Sequence, residues 1–101
     1  MRKITIESKS FFDVLETTER SQVAEMTLEP GKSTGGPANQ HAKSDQWMYI
    51  ISGSGKAIIE KDEVMLEKGD LLLIEAGENH EIMNTGKQKL KTFNIYSPPV
   101  Y

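Results

Sequence analysis

The chain of 101 residues predicts an all-β fold, a small sandwich or barrel of antiparallel strands. Turn signals built from glycine, proline, asparagine and aspartate recur about every ten residues along it. Between these turns, apolar and polar residues alternate with the period of two that half-buried strands require. No segment sustains the period of an amphipathic helix, so we expect a core built from strands alone.

The alternation locates the strands, and one of them differs from the others. Strands are predicted at residues 2–8, 11–19, 21–29, 46–52, 56–60, 64–66, 71–74, 80–84 and 90–96. For residues 11–19 an irregular edge is the alternative, because Leu15 interrupts the alternation. Residues 46–52 carry apolar side chains on both faces, which predicts a strand that is buried on both sides.

Glycine and proline mark the turns between these strands. Pro30 and Gly31 end the strand before them, because proline has no amide to donate and glycine accepts turn dihedral angles. Residues 32–38 are rich in glycine and predict a loop. The Gly-Ser-Gly segment at residues 53–55 predicts a hairpin turn. Two prolines at 98–99 end the last strand and leave a short tail.

Length and charge limit the function classes. A single domain over residues 1–101, with a core at about 21–96, is what this length supports. The net charge is -3 with both signs mixed along the chain, so no binding of nucleic acid or of an anionic membrane is expected. The longest apolar run, residues 71–74, is far shorter than the ~18 residues of a membrane span. Without cysteine, disulfide and thiolate chemistry are excluded and redox chemistry does not constrain the compartment. The alternation after residues 1–3 does not resemble a signal-peptide core, so a cytoplasmic location is the default expectation.

A histidine directly after a tight turn is the most specific feature of the sequence. Such a histidine can be aimed into the mouth of a barrel. The spacing of Gly69, Glu75, Gly77, His80 and Asn84 resembles the second signature of the cupin family, Gly-x5-Pro-x-Gly-x2-His-x3-Asn. Only Glu75, which stands where that signature has proline, departs from it.

A second group of residues resembles the first signature of the same family, which reads roughly Gly-x5-His-x-His-x3or4-Glu-x6-Gly. Counted back from Gly53, the glutamate position falls on Gln46. The second histidine position falls on His41 and the first on Asn39. The resemblance covers about residues 31–96 and implies a small jelly-roll cupin barrel, the double-stranded β-helix.

The resemblance also implies a site inside the barrel, because the family's histidines and glutamate converge there on one divalent metal. Carried over to this chain, the ligand set is Asn39, His41, Gln46 and His80, two imidazoles and two amides. Imidazole is a good ligand for Mn, Fe, Ni or Zn, whereas amide oxygen is a neutral and weaker one. An ion held in this way would keep more of its charge and more open positions for a substrate oxygen.

Each of these four residues also has a structural interpretation. His41 could be a loop histidine bonded to the backbone, and His80 a satisfied polar residue at the start of a strand. Gln46 could bind substrate through its amide or bond to the barrel backbone. Asn39 could stabilise a loop, because asparagine favours turns.

Three functions are compatible with these features. The first is a metal-binding cupin that holds a small polar ligand of the sugar or carboxylate class, with its catalytic residues and enzyme activity left open. The second is a metal-free module that binds a small molecule through hydrogen bonds. The third is a structural dimer with a vestigial site.

A homodimer is expected on two grounds. The first predicted strand, residues 2–8, offers an unpaired edge, and the family commonly dimerises. The N-terminal strand and the C-terminal tail are then candidates for the interface. Trp47 and Tyr49, which share the face opposite Gln46, are interpreted as sheet-packing core or as part of that interface.

Overall fold

Eight antiparallel strands in two sheets form the fold of the part of the chain that the computed structural model describes, residues 1–7, 9–35 and 41–101. The strands are β1 (Phe12–Thr17), β2 (Gln22–Leu28), β3 (Asp45–Ser52), β4 (Ser54–Ile59), β5 (Asp62–Glu67), β6 (Leu71–Ile74), β7 (His80–Met83) and β8 (Leu90–Ser97). These ranges contain no helix, which confirms the all-β prediction. Accordingly, none of them provides a helix that could span a membrane.

The two sheets pack on each other around an apolar core. The larger sheet has the strand order β1-β2-β8-β3-β6 and the smaller one β5-β4-β7. Because side chains alternate between the faces of a strand, each strand sends every second residue inward. The buried apolar cluster comprises Met26, Leu28, Met48, Ile50, Ala57, Leu66, Ile74, Ile82 and Leu90.

Only one face of β3 is buried, so the prediction of a strand buried on both sides is wrong. Gln46, Met48 and Ile50 point inward, whereas Trp47 is 40% and Tyr49 44% exposed. The reason is that the larger sheet has a partner sheet on its inner side only. The interpretation of Trp47 and Tyr49 as sheet-packing core therefore fails, and their role in a dimer interface stays a prediction.

The connection after β3 crosses from one sheet to the other. β3 pairs with β6 and β8, whereas β4 pairs with β5 and β7, so the Gly-Ser-Gly segment is not the hairpin turn we predicted. Gly53 has a φ of 85°, and a β-carbon there would collide with the carbonyl oxygen of Lys89. The turn after β6 also leads from the larger sheet into the smaller one.

The strand predicted at residues 2–8 is not found, because residues 1–7 are exposed and pair with no strand. Arg2 donates a hydrogen bond to the Thr17 carbonyl oxygen at 3.2 Å and lies 3.5 Å from the Glu16 carboxylate. Ile4 and Ile6 stay exposed, so their alternation buries too little surface to fix a ladder. This segment therefore gives no support to the expected homodimer. The other predicted strands occur, with ends shifted by two residues at most.

We predict that Gly53→Ala destabilises the fold far more than Gly69→Ala. Both glycines have positive φ, 85° and 93°, where a β-carbon costs about 1–2 kcal/mol. At Gly53 the added carbon also meets the Lys89 backbone, whereas at Gly69 nothing lies within 4 Å. Thermal unfolding should show a loss of about 3 kcal/mol or more for Gly53→Ala, on the order of 12 °C in melting temperature. Equal losses in the two variants would contradict this crossing geometry.

Candidate functional site

The turn between β6 and β7 sets His80 in the protein interior. The Glu78 amide donates to the Glu75 carbonyl oxygen at 3.0 Å, and the Glu75 amide donates to the Glu78 carboxylate at 2.8 Å. Gly77 between them has a φ of 84°, which glycine adopts without strain. The alternation of β7 then carries His80 and Ile82 inward, and His80 is only 5% exposed.

The loop that carries His41 is bound to the same turn. The Gly77 amide donates to the His41 carbonyl oxygen at 2.9 Å, and the Ala76 amide donates to the Asp45 carboxylate at 2.9 Å. Asp45 is exposed and is used in this contact, as expected from its place next to the inward-facing Gln46. As a result the imidazole rings of His41 and His80 lie 4.9 Å apart, centroid to centroid, at an angle of 48°.

Both imidazoles line one cavity of about 300 Å³. Gln46, the third residue singled out from the sequence, lines the same cavity, whereas Asn39 lies outside the described residues. This volume is at the lower end of the range for small-molecule sites. The described side chains that line it include no lysine, arginine, aspartate or glutamate. Any charge in the cavity would therefore come from the histidines or from a bound species.

The two imidazoles are held so that each can offer a lone pair. His80 Nδ1 lies 3.2 Å from the Glu78 carbonyl oxygen, which can only accept, so Nδ1 carries the proton and Nε2 is the free acceptor. Burial, and next the charge of His80, lower the pKa of His41 below its ordinary value of 6.5, while Gln46 acts weakly in the opposite direction. His41 is therefore neutral at pH 7.

Gln46 presents an unpaired oxygen although it is only 4% exposed. Its Nε2 donates to Asn94 Oδ1 at 3.0 Å, but its Oε1 has no hydrogen-bond partner among the described residues. The Gln46 side chain is close enough to His41 to favour a protonated ring, yet the two form no hydrogen bond of acceptable geometry. A buried acceptor without a donor costs about 1–3 kcal/mol. An orphaned oxygen on a side chain that lines a cavity therefore indicates a place for a cation or a hydrogen-bond donor nearby.

Aromatic rings form another part of the cavity wall. The Tyr101 ring lies 4.8 Å from Phe12 and 5.4 Å from Tyr96, centroid to centroid. His41 contacts Tyr96 edge-on at 5.3 Å. Burial raises the pKa of Tyr96 and of Tyr101 above the usual value, so both phenols stay neutral at physiological pH. The cavity thus combines apolar ring surfaces with a few neutral polar atoms.

A single buried side chain, Gln22, holds Tyr101 in this wall. Its Nε2 donates to the Tyr101 carbonyl oxygen at 2.6 Å, and its Oε1 accepts from the amides of Val100 and Tyr101 at 3.1 and 2.9 Å. Sequence reasoning missed Gln22, Tyr96 and Tyr101 as site residues. The inward alternation of β8 could have identified Tyr96, whereas no local pattern marks a contact between positions 22 and 101.

The chain is similar to known proteins in sequence and in fold. Residues 24–96 match the cupin domain family. Over 85 residues the chain is 32% identical to a putative mannose-1-phosphate guanylyltransferase of Vibrio cholerae, an alignment that covers 84% of this chain and 18% of that protein. Over 68 residues it is 34% identical to the oxalate-binding protein of Thermotoga maritima, with 67% of this chain and 54% of the relative covered. The chain thus spans only part of the length of these relatives.

A solved structure has the same arrangement of strands. The Bacillus halodurans protein BH2720 superposes with a TM-score of 0.87 at 27% identity, covering 93% of this chain and 74% of that one. The family match extends over most of the chain and includes β2 to β8 almost completely. The chain therefore belongs to the cupin family, and its fold is the cupin double-stranded β-helix.

Proposed function

We propose that this cupin binds a divalent transition metal, Mn, Fe, Ni or Zn, through His41, His80 and Gln46, with a small polar ligand beside it. The main support is that the chain's two histidines, 39 positions apart, lie 4.9 Å apart in one cavity. The orphaned Gln46 oxygen belongs to a side chain that lines the same cavity. Asn39 joins the proposed ligand set only through its place in the family signature.

The donor atoms suit such an ion. A metal–imidazole bond is about 2.0–2.1 Å long, so two imidazoles that share an ion bring their ring centres to roughly 5 Å. The hydrogen bond from His80 Nδ1 to the Glu78 carbonyl is the outer contact that commonly orients a histidine ligand. Within the described ranges no group of three or more His, Cys, Asp or Glu side chains could hold a metal ion, and no carboxylate lines the cavity. The protein ligands would therefore be the neutral imidazoles and the Gln46 amide. A bound divalent ion would supply a Lewis acid that polarises a ligand oxygen.

The ligand class that we propose is a sugar or a carboxylate. One relative is named an oxalate-binding protein and another a mannose-1-phosphate guanylyltransferase, and both names involve molecules rich in oxygen. An ion with neutral protein ligands would keep its full charge to attract such oxygens. Glu75 and Glu78 do not line the cavity, so no catalytic base is assigned and ligand binding is the function that the geometry favours.

A metal-free binding module is the second candidate. The observation that favours it is again the orphaned Gln46 Oε1, because that atom could accept a hydrogen bond from a hydroxyl or amine of a ligand. The metal content of protein purified without a nickel column separates the two functions. A ligand-dependent rise in melting temperature without metal would favour the second.

We predict that Mn, Fe, Ni or Zn raises the melting temperature of chelator-stripped protein. A metal at ~100 times its dissociation constant stabilises the fold by roughly 2.7 kcal/mol. In a chain of this size each kcal/mol corresponds to about 4–8 °C, so the expected rise is on the order of 10 °C or more. The measurement is thermal unfolding with and without each metal.

Two variants test where the ion binds. His80→Ala removes one imidazole and should abolish the rise in melting temperature. Glu75→Gln removes an exposed carboxylate outside the cavity and should leave the rise intact, which controls for metal bound at the surface. An unchanged melting temperature of the wild type with all four metals would rule out the metal site and favour the second candidate.

We predict that His41 makes the metal-free fold less stable in acid. Because its pKa is lowered in the folded protein, the unfolded chain binds the proton more readily. Stability is therefore lost as the pH falls below 6.5 towards the lower folded value. Relative to a His41→Gln variant, the wild type should lose melting temperature between about pH 7.5 and about pH 5. If the melting temperature of the wild type minus that of His41→Gln stayed constant or increased as the pH falls, the lowered pKa would be contradicted.

We also propose a homodimer formed through the outer face of the larger sheet. Trp47 is paired with Ile95 and Tyr49 with Leu71, and all four side chains are exposed. Adjacent exposed apolar side chains of this kind mark interaction surfaces.

Sedimentation equilibrium should give a mass of twice the 11.3 kDa of one chain, and Trp47→Glu should reduce this mass to that of one chain. Met65→Glu, on the exposed side of β5, is the control that should stay dimeric, and a wild type of single-chain mass would contradict the proposal.

A further inference from the structure

Polar side chains occupy interior positions of β8, although burial of apolar side chains there would cost less free energy. Thr92 is 0% and Asn94 1% exposed, between the inward-facing Leu90 and Tyr96. Polar groups in an interior cost free energy unless every donor and acceptor is paired. These two residues lie on the path from the sheet backbone to Gln46, so their hydrogen bonds set what Gln46 can do.

The hydrogen bonds along this path have one direction. The Thr92 hydroxyl is 3.4 Å from the Met26 carbonyl oxygen, to which it donates, so its own oxygen accepts from Asn94 Nδ2 at 3.0 Å. Asn94 Nδ2 also lies 3.5 Å from the Ala24 carbonyl oxygen. The amide nitrogen of Asn94 is thus used on the sheet side, and Oδ1 is left to accept from Gln46 Nε2 at 3.0 Å.

We propose that Asn94 is a positioning residue that holds the Gln46 amide with its nitrogen towards β8 and its carbonyl oxygen turned away from Asn94. If the Gln46 amide turned over, Oε1 would face Asn94 Oδ1 at hydrogen-bond distance, and two acceptors repel there. A series of hydrogen bonds thus begins at the Met26 carbonyl oxygen and ends at the Gln46 amide, whose Oε1 is left without a partner. The orientation of the Gln46 amide is inferred from this network alone, whereas its role as a metal ligand rests on the function proposed above.

This orientation determines what the cavity can bind at Gln46. A fixed carbonyl oxygen attracts a cation or an O–H or N–H donor and disfavours a ligand atom that only accepts. One of the two Nε2 protons is bound by Asn94, which keeps the amide nitrogen on the side of β8. Asn94 therefore acts on the ligand choice of the site without lining the cavity itself.

The first test is made on metal-free, isotope-labelled protein by NMR of the Gln46 side-chain amide. In the wild type the Nε2 proton bound to Asn94 should exchange slowly with water. Asn94→Leu removes the acceptor and should speed this exchange by about tenfold, the net worth of one hydrogen bond. Thr92→Val, a milder change, should give an intermediate rate.

A matched control is available at Asn84, which is 3% exposed and does not line the cavity. Its Nδ2 donates to the carbonyl oxygens of Leu28 and Gln88. Asn84→Leu should lower the melting temperature as another buried asparagine is lost, but should leave the Gln46 exchange unchanged. Unchanged Gln46 exchange in Asn94→Leu and in Thr92→Val would overturn the proposal.

The second test uses Mn²⁺ or Ni²⁺ alone as the probe. Loss of an outer contact to a metal ligand typically costs 10–100-fold in metal affinity, so Asn94→Leu should weaken binding by about that factor. Asn84→Leu should bind the metal as the wild type does. If the wild type bound no metal but Gln46 exchange were still faster in Asn94→Leu, the metal function would be refuted and the positioning role supported. Tight metal binding with exchange insensitive to Asn94 would refute the positioning role alone.

Discussion

The site depends on the docking of two chain segments through main-chain hydrogen bonding. β3 and β6 are antiparallel neighbours, so the start of β3 and the end of β6 lie at the same edge of the sheet. The hydrogen bond from the Gly77 amide to the His41 carbonyl continues this contact beyond the ladder. The carboxylate of Asp45 adds a second attachment to the turn. Without this docking, no described main-chain contact would hold the loop of His41 against the turn that precedes His80.

The chemistry of the cavity follows from a lack of charge on the side chains that line it. Burial, and next the charge of His80, lower the pKa of His41, and the contact of His80 Nδ1 with the Glu78 carbonyl oxygen leaves Nε2 as the other ring nitrogen. A second imidazolium beside the first would be expensive in a half-buried cavity. The lone pair of His41 is therefore available at neutral pH without displacement of a proton. The orphaned oxygen of Gln46 adds a third neutral donor atom of the same polarity.

Much of the fold could be predicted from the sequence because alternation reports directly on which face of a strand is buried. The inward side of β2, for example, is Ala24, Met26 and Leu28, as the pattern indicates. Alternation does not report which strands pair, so the crossing at Gly53 looked like a hairpin turn. Nor does it report whether the second face is covered, so it could not decide whether Trp47 packs in a core or lies on an exposed surface. The alternation within residues 2–7 forms no strand for a related reason, because no strand in the described part of the chain lies alongside these residues.

Site residues could be predicted from the sequence only where they belong to a motif with fixed spacing. His41, Gln46 and His80 could be named from the spacing they share with the family signatures, and they do line one cavity. Asn94 and Tyr101 have no such mark, because their roles come from partners 48 and 79 positions away, Gln46 and Gln22. Long-range hydrogen bonds of this kind depend on register and side-chain direction, which a local pattern does not contain.

The network also explains an amide at position 46, where the signature that this chain resembles has glutamate. Asn94 offers an acceptor to that position at 3.0 Å, which glutamine matches with a donor and an ionised glutamate could not. A reversal of the Asn94 amide would supply a donor, but it would bring Oδ1 against the Ala24 carbonyl oxygen. Gln46 and Asn94 are therefore a matched pair, and the charge of the site cannot change at one without the other. A cation bound there would meet oriented dipoles and would keep its charge for the ligand.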